Sequence, residues 1–567
     1  MQGHRQAIIK LEMQEMKILN TKLICSLLLA LVSLSLMAQQ EGNVVLRAMK
    51  DELKRSMEEI KYDNHDRPFF ISYGITDSKN LSVYATLGAI VQSNEYQNRD
   101  KSVRVLVGNY EFNDESLDNN LYSETTANEI QLPLDDDYFG IRRALWTTTD
   151  VVYKGAAQKY KKHQATLKEQ NKKLGDLPHR VFAKVPVVQS IKATTLASVD
   201  LATLNNYCRK ASSVFRDFPD LESSDVLINF SYGTKYFVNS EGTVIVEPYS
   251  IGIVQCRAQG KTKNGEPIFE TIEYYAKATN EFPSMEKLTA DARALAEKLE
   301  KLRSANVLDE EYSGPVLFLG ASVAQAFAST LFSQRESLIA SNAILSQNDY
   351  RPAAVAALDA RLGKIIIDNS LTIKASPKLR SFKGETLIGS YDVDDEGVVP
   401  PENLVLVEKG ILKALLNDRS LTSLSQVANG HSTGPAVIEI SSNKTLTPQA
   451  LKDALIAAAR TDGQDFALIV RTNASFGEAM SEVWKVNLET GAEEMLRSSQ
   501  VSELSLRNMR RIVGVASDQT TYTVQVGGTL ASFIVPQGLL LGDIEIAPIK
   551  LPYLEEQESY VKNPLKN

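Results

Sequence analysis

An amphipathic helix followed at once by alternating, β-branched segments sets the fold class of this 567-residue chain. Val45, Met49, Leu53, Met57 and Ile60 recur at spacings of three and four, which predicts a helix over 43–60 with one apolar face. Strand candidates follow at 69–77, 81–92 and 102–112, rich in aromatic and β-branched residues. That order implies an α+β layer with helices on one face of a sheet. Residues 153–174 predict a long polar helix stopped by Gly175 and Pro178. A helix over 194–213 and strands at 225–231, 234–239, 243–248 and 251–258 then repeat the architecture, though not the sequence, of residues 43–112. Residues 284–304 predict another helix, with Ser284 as its N-cap and Leu288, Ala292, Leu295, Leu299 and Leu302 on one face.

Past a hinge near 306–314 the texture changes. A strand at 315–320, a helix at 321–339 and a strand at 364–374 are followed by short strands and turns. One further helix, 448–460, opens on Pro448. The last strands fall near 521–526 and 542–549, and a charged tail from Glu555 is expected to be disordered. The fold class is therefore α+β. An N-terminal domain of helices on antiparallel sheet spans 39–305, a C-terminal, mainly β domain with few helices spans 306–552, and 553–567 form a flexible tail.

The start of the chain concerns its destination rather than its fold. Lys17 and Lys22 precede an unbroken apolar stretch, residues 23–38 (LICSLLLALVSLSLMA), followed by Gln39, Gln40 and Glu41. A basic region, an apolar core too short to span a bilayer comfortably and a small residue before a polar boundary make a signal peptide over 1–38, with an uncleaved anchor helix as the alternative. Met16 gives that segment the usual length. Export to the periplasm or the extracellular space is expected, and no later stretch approaches 18 apolar residues, so no membrane span is expected after cleavage. Cleavage removes four basic and two acidic residues from totals of 62 and 70, leaving a net charge of −10. Such a balance argues against a nucleic-acid partner, which needs a basic surface to displace counterions.

Residue types restrict the chemistry further. Only Cys208 and Cys256 survive cleavage, either as one disulfide or as two buried thiols, and they cannot build a cysteine zinc site. The mature histidines, His65, His163, His179 and His431, each lack a His or Cys within ligand spacing and read as surface or hydrogen-bonded side chains. Asp392, Asp394, Asp395 and Glu396 offer the hard oxygens Ca²⁺ takes, but without EF-hand spacing they read as a solvated turn. No Gly-x-Ser-x-Gly elbow appears, and no serine nucleophile has an evident histidine base.

Several stretches of the second half resemble the TldD/PmbA family, once called modulators of DNA gyrase and associated with metallopeptidase activity. They are Asp394-Asp395-Glu396-Gly397 with Pro400, the strand-turn-strand 404–413 (LVLVEKGILK), Leu415-Leu416 and Asp418-Arg419. Asn429-Gly430-His431, residues 491–514 and residues 532–546 (SFIVPQGLLLGDIEI) continue the likeness. In the first half Asn239-Ser240-Glu241-Gly242 and residues 103–107 join it, so the likeness covers most of 43–550. The resemblance implies a catalytic branch with His-Glu-x-x-x-His on the first helix of the second half and a cysteine near the C-terminus. Two histidines five apart lie about 140° apart on an ideal helix, so that motif needs a distorted turn. Here the matching helix begins ASVAQAFASTLF, no histidine lies between His179 and His431, and no cysteine follows Cys256. The nitrogen and sulfur ligands and the glutamate that activates water are missing.

The resemblance then implies a PmbA-like or inactivated member, a non-catalytic subunit that handles peptides beside a TldD-like zinc peptidase subunit. No cofactor and no metal is expected. A homo- or hetero-oligomer is expected, with Gln325, Ser329, Asp394, Asp395, Glu396 and Gly397 as the peptide-binding or interface region. A hydrolase using non-standard residues or an oxygen-ligated metal is the alternative.

Overall fold

The computed structural model describes residues 43–117, 130–174, 180–193, 199–263, 265–332, 337–340, 358–421, 426–472, 481–549 and 565. The expected signal peptide and nearly all of the expected tail lie outside these residues. Among them no helix is long and apolar enough to cross a membrane.

Helix α1 (Val44–Glu59), capped by the Asn43 side chain on the Leu46 amide, leads into β1 (Pro68–Thr86) and β2 (Ala89–Val107). Helix α2 (Tyr138–Glu169), β3 (Val181–Phe182), β4 (Gln189–Ile191) and α3 (Leu201–Ser212) follow. Next come β5 (Ser223–Asn239), β6 (Val244–Lys261), β7 (Pro267–Ala276) and α4 (Met285–Leu302). The sheet runs β2-β1-β5-β6-β4, with β7 also on β6, and only β4 is parallel to its neighbour.

Side chains alternate across this sheet and give it two different faces. Ile71, Tyr73 and Ile75 of β1 pack under α1 and α2, while Leu81, Val83 and Ala85 of the same strand pack under α3 and α4. Tyr73 ties these layers together, because its hydroxyl meets Thr149 Oγ1 of α2 at 2.7 Å and Ser56 Oγ of α1 at 3.2 Å. The other face carries Phe70, Ser72, Ser102, Arg104 and Phe237. It is mixed and polar.

The second half contains β8 (Asn306–Val307), β9 (Tyr312–Leu319), α5 (Ala321–Leu331), β10 (Leu371–Ala375), β11 (Ser381–Phe382), β12 (Glu385–Thr386) and β13 (Leu404–Glu408). It continues through β14 (Ile411–Leu412), β15 (Ser420–Leu421), β16 (Val437–Ser442), α6 (Pro448–Thr461), β17 (Phe466–Thr472), β18 (Ser481–Asn487) and β19 (Glu493–Val501). It ends with β20 (Ile512–Val515), β21 (Gln519–Val526), β22 (Thr529–Pro536) and β23 (Gly538–Pro548). One sheet runs β14-β13-β10-β16-β22-β21. In the other, β23 pairs with both β9 and β19, so β9, β17, β18, β19 and β23 close a ring. Helix α5 lies between the two sheets, with Val323, Ala324, Phe327 and Leu331 wholly buried in their shared core. Helix α6 covers the ring from outside through Leu451, Leu455 and Ala459. The α+β class expected from the sequence is the class observed, with the second half mainly β.

Element boundaries differ where a local signal was overridden. The strands expected at 69–77 and 81–92 are one strand, because Asp77, Ser78, Lys79 and Asn80 stay paired to both β2 and β5. The chain reverses instead at Leu87-Gly88, where both residues have positive φ (+48° and +77°), as a two-residue hairpin of the twisted kind demands. The four strands expected over 225–258 likewise fuse into β5 and β6, and β7 was not anticipated. Helix α2 starts at Tyr138 rather than 153. The threonine run 147–149 is a poor helix former by propensity, yet each hydroxyl donates to the carbonyl four residues earlier, at 2.7–2.9 Å. Helix α5 stops at Leu331, short of the expected 339, and Ile339 forms a bridge with Leu416. Of the strand expected at 364–374 only Leu371–Ala375 and its flank is extended; Ile366 and Ile367 are buried in a turn.

The halves of the molecule are joined across the polar face of the first sheet. β3 pairs antiparallel with β15, and the Ala183 amide donates to the Arg419 carbonyl at 2.8 Å. The fully buried Arg419 guanidinium donates to both oxygens of Glu241 (2.8 Å each) and to the Ala183 carbonyl. Arg104 of β2 forks onto Glu115 and donates to Glu396 and to Ser420 Oγ. Both guanidinium carbons lie over the Phe182 ring, at 4.1 Å for Arg419 and 4.9 Å for Arg104.

Three variants test this architecture. Arg419→Ala leaves the Glu241 carboxylate poorly exposed and without its guanidinium, and should lower the unfolding free energy by about 3–5 kcal/mol in urea titration. Arg419→Met combined with Glu241→Gln should cost less than the sum of the two single changes. Phe327→Ala opens a cavity between the two sheets of the second half and should cost about 3–5 kcal/mol in the same measurement.

Candidate functional site

The residues singled out by sequence fall in two separate places. Gln325 and Ser329 lie on α5, and Asp394 to Gly397 form a turn on the polar face of the first sheet.

Helix α5 begins at Gly320, whose backbone (φ +66°) is left-handed, and Ser322 Oγ fastens its first turn to the Leu319 and Val470 carbonyls at 2.9 and 2.8 Å. Ala321, Gln325 and Ser329 recur every four residues and are its half-buried positions, while the rest of the helix is buried. Ser329 Oγ donates to the Ala326 carbonyl at 3.2 Å. A zinc ion implied by the family resemblance would draw ligands from this helix. The side chains present there are methyl, isopropyl, phenyl, hydroxyl and amide groups, which do not fit that ion. Among the described residues no group of three or more His, Cys, Asp and Glu side chains is arranged to hold a metal. No step through zinc follows from these residues.

The 394–397 turn has a built interior rather than the solvated character expected from its charge. Asp394 is only 4% exposed. Its Oδ1 accepts from the Glu396 and Val398 amides and its Oδ2 from the Ser432 amide, at 2.8–3.1 Å. Burial, then the neighbouring Glu396, push its carboxyl up to about 7, against the pull of those amides. Glu396 takes Arg104 on one oxygen and the Arg419 amide (2.7 Å) on the other. Gly397 has φ +80°, and a Cβ there would lie 2.9 Å from the Phe237 ring, so only glycine lets the turn sit this close to the sheet. Asp395 points outward near Lys235 (3.5 Å), and Asp392 pairs with Lys192 and Arg380. The four carboxyls thus go to different partners rather than to one cation.

A groove of about 300 Å³ runs beside this turn, between residues 183–188 on one side and Val398, Val399, Leu421 and 426–428 on the other. Below the turn lies a group that spacing alone did not reveal. His431 is buried, and its Nδ1 faces the Asn429 backbone oxygen (2.8 Å) and side-chain oxygen (2.9 Å). Both are acceptors, since the Asn429 amide nitrogen is spent on the Leu415 carbonyl. Nδ1 therefore carries the proton, and Nε2 is a bare lone pair with no hydrogen-bond partner among the described residues. Burial lowers this imidazole to about 4, so it is neutral at physiological pH. The sequence signal was the Asn-Gly-His triplet itself, in which positive φ at Gly430 swings the ring back over Asn429.

Of the other histidines, His65 stacks on Tyr62, His163 is buried beside the Asn113 carbonyl, and His179 lies outside the described residues. Cys208 and Cys256 are free and buried in the core under α3 and α4, and burial pushes both thiols up to about 12.

Residues 336–546 match the family model described as the PmbA/TldA metallopeptidase C-terminal domain. No curated protein matches the chain by sequence. Among solved structures, it is similar to a putative modulator of DNA gyrase from Bacteroides thetaiotaomicron (TM-score 0.57, 11% identity, 89% of this chain and 98% of that one). It is similar to another from Thermotoga maritima (TM-score 0.55, 13% identity, 84% and 96%) and to TldE from Thermococcus kodakarensis (TM-score 0.53, 12% identity, 88% and 100%). At these identities the likeness to solved structures is one of fold. Residues 336–546 thus resemble the PmbA/TldA metallopeptidase C-terminal domain, and the chain as a whole shares the fold of those solved structures.

Proposed function

We propose that this chain is an exported, zinc-less member of the family that binds extended peptides and works in assembly with a zinc-bearing relative, which supplies the cleavage. The observation that carries this reading is α5. The helix keeps its place at the centre of the metallopeptidase-related fold, but packs there through Val323, Phe327 and Leu331 and presents only Ala321, Gln325 and Ser329. Such a helix is held by apolar burial, which needs no metal.

A peptide has an edge to join. Helix α5 packs against β21, which lies at the end of its sheet and has a free outer edge among the described strands. An edge strand presents unpaired N–H and C=O groups that an added strand can satisfy. Export rests on the apolar stretch 23–38 behind Lys17 and Lys22.

The test uses the full mature chain purified from its host. Elemental analysis after dialysis should show zinc far below stoichiometry, and incubation with unstructured peptides should give no chelator-sensitive cleavage. Adding an exported relative that carries the zinc motif should produce cleavage that chelators abolish. About one zinc per chain, or cleavage by the pure chain, would overturn the zinc-less reading. A mature N-terminus at Met1 in a cytoplasmic fraction would overturn export.

A further inference from the structure

The outer face of α2 carries side chains that the fold does not use. Its inner face is core, formed by Ile141, Ala144, Leu145 and Thr148. On the opposite side Phe139, Arg143, Trp146 and Asp150 fall within about 60° of one another at 100° per residue, forming one stripe. Phe139 is 75% exposed and Trp146 48%, with Leu134 (47%) beside the start of the helix. The chain has only two tryptophans, and one of them stands half in water on a helix otherwise lined with lysine and threonine, a cost that nothing among the described residues offsets. Arg143 makes no ion pair among the described residues, and Asp150 is paired only with Lys154 of its own helix, at 2.6 Å. Exposed tryptophan, phenylalanine and arginine on one rigid element are the residue types that anchor protein interfaces.

The order of charges along the stripe identifies the occupant. In an antiparallel pairing of two copies of α2 about a two-fold axis beside Trp146, residues 143 and 150 exchange positions. Arg143 of each copy then faces Asp150 of the other, and Lys154 faces the Phe139 ring, an arrangement in which a cation is attracted to an aromatic face. A parallel pairing would instead set Arg143 against Arg143. The stripe complements itself in one direction only.

We propose that this stripe of α2 is a two-fold interface through which the chain pairs with a second copy of itself, with Trp146 at the centre and reciprocal Arg143–Asp150 ion pairs on either side. The proposal rests on the reading above that the chain works in an assembly, and adds a self-pairing surface to the contact with a zinc-bearing relative. It leaves the edge of β21 and the groove beside the 394–397 turn free on both copies, so that self-pairing and peptide binding do not compete.

Sedimentation velocity of the full mature chain over a concentration series tests it. Wild type should be a dimer, and Trp146→Glu should be a monomer with an unchanged circular dichroism spectrum, because the replaced side chain is outside the core. Arg143→Glu should raise the dimer Kd at least about tenfold, as close interfacial charge pairs do when one member is reversed. Adding Asp150→Arg to Arg143→Glu should bring the Kd back to within about threefold of wild type. A monomeric wild type would overturn self-pairing and leave pairing with a zinc-bearing relative to the mixing experiment above. A dimer indifferent to Trp146→Glu would overturn this surface, and failure of the double variant to recover would overturn the antiparallel register.

Discussion

Two arginines clasping one phenylalanine join the halves of this molecule. Phe182 arrives on a two-residue strand, β3, and is covered by the guanidinium groups of Arg104 from the first sheet and Arg419 from the second half. Each arginine is neutralised from the other half: Arg104 by Glu396 and Arg419 by Glu241, with Glu115 completing the set. Burying ions is expensive, and such a cluster is weak grounds for stability in itself. What it does supply is register. Forked guanidinium bonds and a ring between them admit one docking of the 394–397 turn on the sheet, whereas an apolar contact would tolerate sliding.

This docking explains why the first sheet is built with unlike faces. One face is closed by four helices over two apolar clusters, separated along β1 by the Asp77–Arg99 ion pair. The other carries serine, arginine and lysine beside Phe70 and Phe237, an odd composition for a covered face until its covering is seen to be an acidic turn. The second half, by contrast, is organised around an apolar helix. In a fold whose catalytic branch is expected to place metal ligands on α5, this chain has methyls and a phenyl ring in that position, and the surrounding sheets bury them in one apolar core. The fold therefore does not depend on the metal chemistry.

Much of this was legible in the sequence. Helix periodicity located α1 and α4, Pro448 marked the start of α6, and Ser284 does cap α4 on the Lys287 amide. The Asp394-Asp395-Glu396-Gly397 run was visible as a turn, but its role was not, because Arg104 lies 292 positions away and nothing local pairs them. Propensity erred where tertiary pairing won. Ser78 to Asn80 read as a break and are mid-strand, since two neighbouring strands hold the backbone and Arg99 takes up the adjoining Asp77 carboxylate at 2.5 Å. The expected helix begins only at 153, whereas Thr147 to Thr149 are already mid-helix. His431 read as ordinary, because its proton position depends on an asparagine two residues back and a carbonyl from Leu415, which spacing cannot show.

The central claim is that the acidic turn docks on the sheet through charge pairs formed between the halves. A double-mutant cycle on Arg104→Met and Glu396→Gln, read by urea unfolding of the mature chain, addresses it most directly. The account predicts that the two changes are coupled by at least about 1.5 kcal/mol, the lower range for close charge pairs at an interface. Additivity of the two changes to within about 0.3 kcal/mol would contradict it.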